Sequence, residues 1–321
     1  MAKKNAVMKY EPAVMRMTFA TTVVSGGGGT GTFYLDLSQA ASILNRRFYR
    51  QGLRWGVGSI KVLSEIQSGS VVVRKAMNTW VVGGAWEKTM RNWLRQQNEA
   101  IDEAGAESAV AAFRDYKVFL DDDHVTQYVG AGNDLNATNL LPIDGDGNPF
   151  LTGEWEASQV VIPNDGAPGT TNEYLVKMHG ASDANAKSII GGYEFSRARP
   201  FSPDPSTPAI QTSWLSTMFD VGDDQSAVVQ NAVDKNDNLP YDADDYPGGP
   251  GNGATSYRHD TAFITGTTVG GITYLRGGEF PCGLMRFDVL NNDSQAKNIV
   301  IEIDLIPGAH RGYLCESMTE M

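Results

Sequence analysis

Four histidines stand foremost among the residues that could do chemistry, yet His124, His179, His259 and His310 are 55, 80 and 51 residues apart. No two share the local spacing of a metal-ligand pair, so no zinc cage is written into any one stretch. His259 belongs to Tyr257-Arg258-His259-Asp260, which sets a base beside a carboxylate. A Ser-His-Asp enzyme of the hydrolase kind would need a Gly-x-Ser-x-Gly elbow, which the chain lacks, and neighbouring residues of a strand face opposite ways. Cys282 follows Pro281 with no general base nearby, so a thiol nucleophile is unsupported. Glu154 and Glu156, two apart, would share a strand face as the carboxylates of some β-sandwich glycoside hydrolases do, and they carry the enzyme alternative.

Cations and phosphates are the next chemistry to weigh. Asp144-Gly145-Asp146-Gly147-Asn148 opens like a calcium loop, but Pro149 stands where glycine is needed and Trp155 where a bidentate glutamate is needed. A tight turn with acidic corners is expected there instead. Residues 220–250 are rich in aspartate and poor in apolar residues, which reads as a surface excursion. Hard oxygen ligands cluster in it: Asp234, Asp237, Asp242, Asp244 and Asp245 are the candidate set for a divalent cation, calcium by ligand type, and no other cofactor is expected. Asp121-Asp122-Asp123 repel one another unless water or a cation screens them. The run from Gly26 to Gly31 lacks the Lys-Ser/Thr of a phosphate loop and leads into a strand, so it reads as a flexible turn. Arg46, Arg47, Arg50 and Arg54 interleave with Phe48, Tyr49 and Trp55, a mixture that could stack on bases or hold phosphates. The plainer alternative, and the favoured one, is the start of a strand whose aromatics enter the core while the arginines reach past them to water.

Alternating apolar residues supply most of the elements that must carry these groups. In residues 284–307, Met285, Phe287 and Val289 alternate with polar neighbours, Asn291-Asn292-Asp293-Ser294 breaks the run, and Ile299, Ile301, Ile303 and Leu305 resume it. A hairpin with one apolar face is expected, and it needs a cover. Further strands are expected at 14–24, 32–35, 53–64, 71–73, 116–120, 155–163, 173–178, 187–195, 262–264 and 272–275. Across 80–103 the period changes: Trp86, Met90, Trp93, Leu94, Gln97 and Ile101 form one stripe of an amphipathic helix that Gly105 ends. Shorter helices are expected at 39–45, capped by Ser38, and at 210–219, while 163–169 reads as a linker. Twelve or more short strands with few helices point to packed antiparallel sheets. Two halves with the same order of elements fit an all-β chain of two eight-stranded antiparallel jelly-roll β-barrels in tandem, with a few short helices in the loops. The expected divisions are an N-terminal basic arm at 1–12, a first jelly roll at 13–163 and a second at 164–321.

The 321 residues carry a net charge of −12, with 35 glycines that suit many tight turns. The first 100 residues hold 14 lysines and arginines against 5 acidic residues, and the rest hold 12 against 33. Two differently charged surfaces are one outcome, the basic one suited to phosphates; charges that mix in space are the other. No apolar run of signal-peptide length follows Met1-Ala2-Lys3-Lys4-Asn5 and no 18-residue apolar stretch exists, so synthesis in a cytoplasm and no membrane span are expected. Cys282 and Cys315 are accordingly expected as free thiols.

The grammar of the whole chain then suggests a family: a short basic arm at 1–10, a jelly-roll-like half with the helix at 86–103, a second half with the helix at 210–219, and the closing strands at 284–307. It resembles the major capsid proteins of the double jelly-roll kind, most of all those of small tailless icosahedral lipid-containing bacterial viruses. The resemblance implies a structural protein of the virion, made in the host cytoplasm, with no reaction to catalyse. It implies pseudo-hexagonal trimers packed into an icosahedral shell, with further copies of itself, minor capsid or vertex proteins and an internal membrane as partners. Lys3, Lys4, Lys9 and Arg16 would then face the inside of the shell. The brevity of the arm and the acidic balance depart from capsids that package nucleic acid on long basic tails, which leaves direct nucleic-acid binding open. The other reading of the residues is a β-sandwich carbohydrate-binding module, with Trp155 and Trp214 as candidate platforms, or the glycoside hydrolase of Glu154 and Glu156.

Overall fold

Strands with apolar residues at every second position appear at both ends of the chain, and they find their cover in one another. A computed structural model describes residues 12–23, 29–106, 108, 110, 113–163, 171–198, 246–253 and 255–321. Before residue 76 lie β1 (Arg16–Val23), β2 (Gly29–Asp36), α1 (Leu37–Asn45), β3 (Leu53–Ser64) and β4 (Ser68–Lys75). Next come α2 (Trp80–Glu103), α3 (Asp122–Gly130), α4 (Leu135–Thr138), β5 (Gln159–Pro163), β6 (Thr171–Lys177), β7 (Ala186–Ser188) and α5 (Ile189–Ala198). The chain closes with β8 (Tyr257–Thr265), β9 (Ile272–Phe280), β10 (Leu284–Asn291), β11 (Lys297–Leu305), β12 (Pro307–Gly308), β13 (Gly312–Tyr313) and β14 (Cys315–Ser317).

Eight of these strands make two antiparallel sheets, ordered β1-β11-β3-β9 and β2-β10-β4-β8, with β14 beside the first residues of β3. Their inward faces are fully buried: Met17 and Phe19, Ile60 and Val62, Val71 and Val73, Phe287 and Val289, and Ile299, Ile301 and Ile303. Each such side chain contributes about 1.5–3 kcal/mol on leaving water. The apolar residues expected to face a core in the closing strands therefore do so. Their partners differ from expectation, because β10 pairs with β2 and β4 while β11 pairs with β1 and β3, so the two strands lie in opposite sheets and form no hairpin. Alternation sets which face of a strand is apolar; it leaves the neighbour open.

The chain is mostly β with few short helices, as expected, but the expected division at 163/164 is crossed by the sheets. Arg16 in β1 stands opposite Asp304 in β11, and Leu35 in β2 opposite Met285 in β10. One sandwich thus uses strands from both ends of the chain, and residues 76–256 are inserted between its strands β4 and β8. The physical reason is that the strands of both terminal sets have a single apolar face, and the two sheets they build together cover each other. Within the insertion the described residues hold a small sheet, β5-β6-β7, in place of a second eight-stranded barrel.

Helix α2 has the expected bounds. Thr79 caps it by accepting from the Val82 N–H at 3.4 Å, and Gly105, at φ +62, ends it: Gly105 N–H donates to Asp102 O at 3.1 Å and Ala106 N–H to Ile101 O at 3.0 Å. Its stripe, with Val82, Ala85, Trp86 and Trp93, packs on Val176, Met178, Ile189 and Ile190 in a second core. Gly84 lets α5 approach, since a Cβ there would lie 2.8 Å from the Tyr193 hydroxyl. Residues 187–195, expected as a strand, are mostly α5: Ile189, Ile190 and Tyr193 recur at helical spacing, and the Gly191-Gly192 pair hides it. Residues 116–120 form only an isolated bridge, Phe119 with Lys177, and the strand expected at 155–163 begins at Gln159. Asp36, rather than Ser38, caps α1, accepting from the Ser38 N–H at 2.8 Å. The helix expected at 210–219, most of the linker at 163–169 and most of the acidic excursion lie outside the described residues.

Candidate functional site

The Asp121-Asp122-Asp123 run resolves into ion pairs where the insertion meets the sandwich. Asp121 caps α3 and is 3% exposed, accepting from Tyr34 Oη at 2.6 Å, Ser256 Oγ at 2.8 Å and Arg286 Nη1 at 2.9 Å. Arg286 also pairs with Asp123 at 2.7 Å and Asp288 at 2.8 Å, while the buried Lys177 ammonium pairs with Asp122 and Asp183. Burial works to raise the Asp121 pKa, but the Tyr34 hydroxyl and the Arg286 charge outweigh it and hold it below the usual carboxylate range. The cations that screen this run are therefore side chains of the chain itself, from β6 and β10.

His124 stacks on Tyr34, ring centroids 4.1 Å apart, and its Nδ1 accepts from the Leu120 N–H at 3.3 Å. That assigns the proton to Nε2, which lies 2.9 Å from Asn139 Oδ1. Burial pushes both His124 and His179 down to about 4. Because these folded-state values lie below the unfolded value of about 6.5, falling pH protonates the unfolded chain first and stability drops between about pH 6.5 and 4, by about 3 kcal/mol per histidine. Urea midpoints should fall between pH 7.5 and 4.5, and His124→Gln should flatten that fall; a midpoint that holds or rises toward pH 4.5 would contradict the assignment. The Asp304 and Asp183 carboxyls, held at about 2 by their neighbours, lose their contribution only at still lower pH.

A groove of about 610 Å³ opens where the segment between α1 and β3, helix α2, residues 113–116 and residues 310–319 converge. Four arginines line it, Arg47, Arg50, Arg114 and Arg311, against one carboxylate, Asp115. Arg311 Nη1 donates to Phe48 O at 2.6 Å, Arg50 Nη1 donates to Arg114 O, and Arg114 Nη1 to Asn98 Oδ1 at 3.0 Å. The Phe48 and Phe113 rings stand 5.3 Å apart, and the Arg50 guanidinium lies 5.7 Å from the Phe48 centroid. The inner wall is Trp86 and Trp93, each packed on Tyr116. Gly52 makes room for Trp86, since a Cβ there would fall 2.3 Å from its ring.

The arginine and aromatic interleaving around residue 50 is thus split by the structure. Tyr49 and Trp55 enter the core, as the plainer alternative expects, and Arg54 pairs with Glu279 and Glu316, whereas Phe48, Arg47 and Arg50 turn to the groove. Arg114, Phe113 and Arg311 join them from distant stretches that sequence reasoning did not connect. Arg16 lies on the solvent face of β1, paired with Asp304 at 2.7 Å and Glu302 at 3.9 Å. Lys3, Lys4 and Lys9 lie outside the described residues, as do Asp234, Asp237, Asp242, Asp244, Asp245 and Trp214. Glu154 and Glu156 are both exposed on a segment that is not a strand, and Trp155 between them is buried, 8% exposed, with the Lys117 ammonium 4.5 Å from its ring. His259 Nε2 meets the Arg276 and Gly277 carbonyls at 3.1 and 3.0 Å, and Asp260 accepts from the Arg276 N–H, so this pair ties β8 to β9. Asp144 Oδ1 accepts from the Asp146 and Asn148 N–H groups, both at 2.9 Å, giving the turn expected there. Cys282 and Cys315 are free thiols. Among the described residues no helix is long and apolar enough to cross a membrane, and no group of three or more His, Cys, Asp or Glu is placed to hold a metal.

No protein-family model, curated protein or solved structure matches the chain.

Proposed function

We propose that the chain is a structural protein whose work is self-association through a β-sandwich. More particularly, it is a capsid protein that builds an icosahedral virus shell and catalyses no reaction. The observation that carries this reading is the strand order: β1-β11-β3-β9 facing β2-β10-β4-β8 is the double Greek-key order of a jelly roll, an architecture used by viral capsid and lectin domains. The outer strands β8 and β9, one from each sheet, favour the capsid over the lectin. They expose Phe263 (79%), Tyr274 (66%) and Tyr257 (51%), large aromatics beside edges that pair with no further strand among the described residues. Natural sheets keep such edges short, charged or covered, so exposed aromatics there suit contact with another copy.

A capsid built this way would use one jelly roll per chain with a large insertion, in place of two in tandem, and the pseudo-hexagonal trimer that two barrels would give loses its basis. Shell neighbours of the same chain are the principal partners, with vertex proteins and an underlying membrane in secondary roles. Light scattering and negative-stain microscopy of the purified chain over a range of concentration and salt should show closed oligomers or shells. A monomer at every condition overturns the proposal.

A further inference from the structure

We propose that the groove between α2 and the segment preceding β3 binds single-stranded nucleic acid. An unpaired base would lie against Phe48 and Phe113, with the adjoining phosphates on Arg50, Arg114 and Arg311. This goes beyond the capsid reading, which needs no ligand in the subunit.

Charge is the first argument. The chain as a whole is acidic at −12, yet four arginines and one aspartate line this groove. Asp115 is already engaged, its Oδ2 accepting from the Gln51 N–H at 2.9 Å. The Arg50, Arg114 and Arg311 guanidiniums donate to carbonyl and amide oxygens, and Arg50 also acts on the Asp115 carboxylate through its charge, which leaves an excess of positive charge in the groove. Each guanidinium has five N–H donors in a rigid fork, so one such contact aims the group and leaves donors for phosphate.

The aromatic wall supplies the second. Phe113 is 68% exposed beside the Phe48 ring, an arrangement that burial does not explain and that a planar ligand would cover. Trp86, 5% exposed, backs the groove as a buried apolar wall. Arginines beside accessible ring faces are the pairing that holds single strands, where base stacking tolerates any sequence and cations follow the backbone. In a duplex the ring faces are stacked and hidden, so single strands are selected. The volume of about 610 Å³ falls within the range of small-ligand sites, enough for a nucleotide rather than a folded partner.

Fluorescence anisotropy of a labelled oligothymidylate of about 20 nucleotides, longer than the site sizes usual for single-strand binders, is the test, with the full chain at several salt concentrations. Tight binding at low salt should weaken steeply as salt rises. Phe113→Ala, at an exposed position, should melt as the parent does while losing roughly tenfold in affinity. Arg50→Gln with Arg114→Gln and Arg311→Gln should bind more weakly still and lower the salt slope by about one per phosphate contact removed. If the basic arm at 1–12 or another surface is the true holder, both variants will bind as the parent does, and the proposal falls. Equal affinity for a duplex of the same length also overturns it.

Discussion

A chain ending at Gly283 is expected to be insoluble. It would lack β10 and β11, and these are not edge strands: β10 lies between β2 and β4, and β11 between β1 and β3. Their loss would open both sheets at the centre, strip Phe287, Val289, Ile299, Ile301 and Ile303 from the core, and leave four strands with free inner edges. At about 1.5–3 kcal/mol per buried side chain, those five alone supply about 7.5–15 kcal/mol, as much as the usual net stability of a domain. Partition between soluble and pelleted fractions after expression is the measurement, beside the full chain. A soluble, cooperatively melting product would mean that the central position of these strands is wrong.

Arg286→Met should cost about 3–5 kcal/mol, the usual penalty for breaking a buried ion pair from one side. Three carboxylates face this guanidinium, and the Asp121 side chain, at 4% exposure, would be left charged without its cation. Urea denaturation reads the loss. Because the damage comes from the stranded charge, Asp121→Asn added to Arg286→Met should recover at least 1 kcal/mol relative to the sum of the two single changes. Strict additivity would show that the network has no coupled centre.

Much of the local structure was legible in the residues, and the limits have a common cause. Strand β3 and helix α2 were readable to the residue because their apolar periods run for 12 and 24 residues. The same alternation marked the buried face of β10 and β11 but named the wrong neighbours, since pairing is decided by sheets assembled from both ends of the chain. Repetition of element order suggested two barrels, although a large insertion in one barrel produces the same order. The acidic run at Asp121 left open whether water or a cation screens it, because Arg286 lies 165 residues from Asp121 and Lys177 lies 55 from Asp122. The groove was half legible in the same way: Arg47, Phe48 and Arg50 are adjacent, while Arg311 arrives from 263 residues beyond Phe48. The exposed Phe263 did carry a signal, an aromatic out of phase with the buried Ile264 on β8.

Arg16 and Asp304 touch across 288 residues of chain, and that separation sets the timing of folding. Contacts so remote in sequence form slowly, after a large loss of loop entropy. During synthesis β1 to β4 emerge early with their apolar faces bare; β2 and β4 wait for β10, which ends at Asn291, and β1 and β3 wait for β11, which ends at Leu305. The same delay acts as an inspection step: a polypeptide cut short before its last long strand leaves the sheet of β1 and β3 without its central partner, so only a chain that reaches β11 can bury both apolar faces.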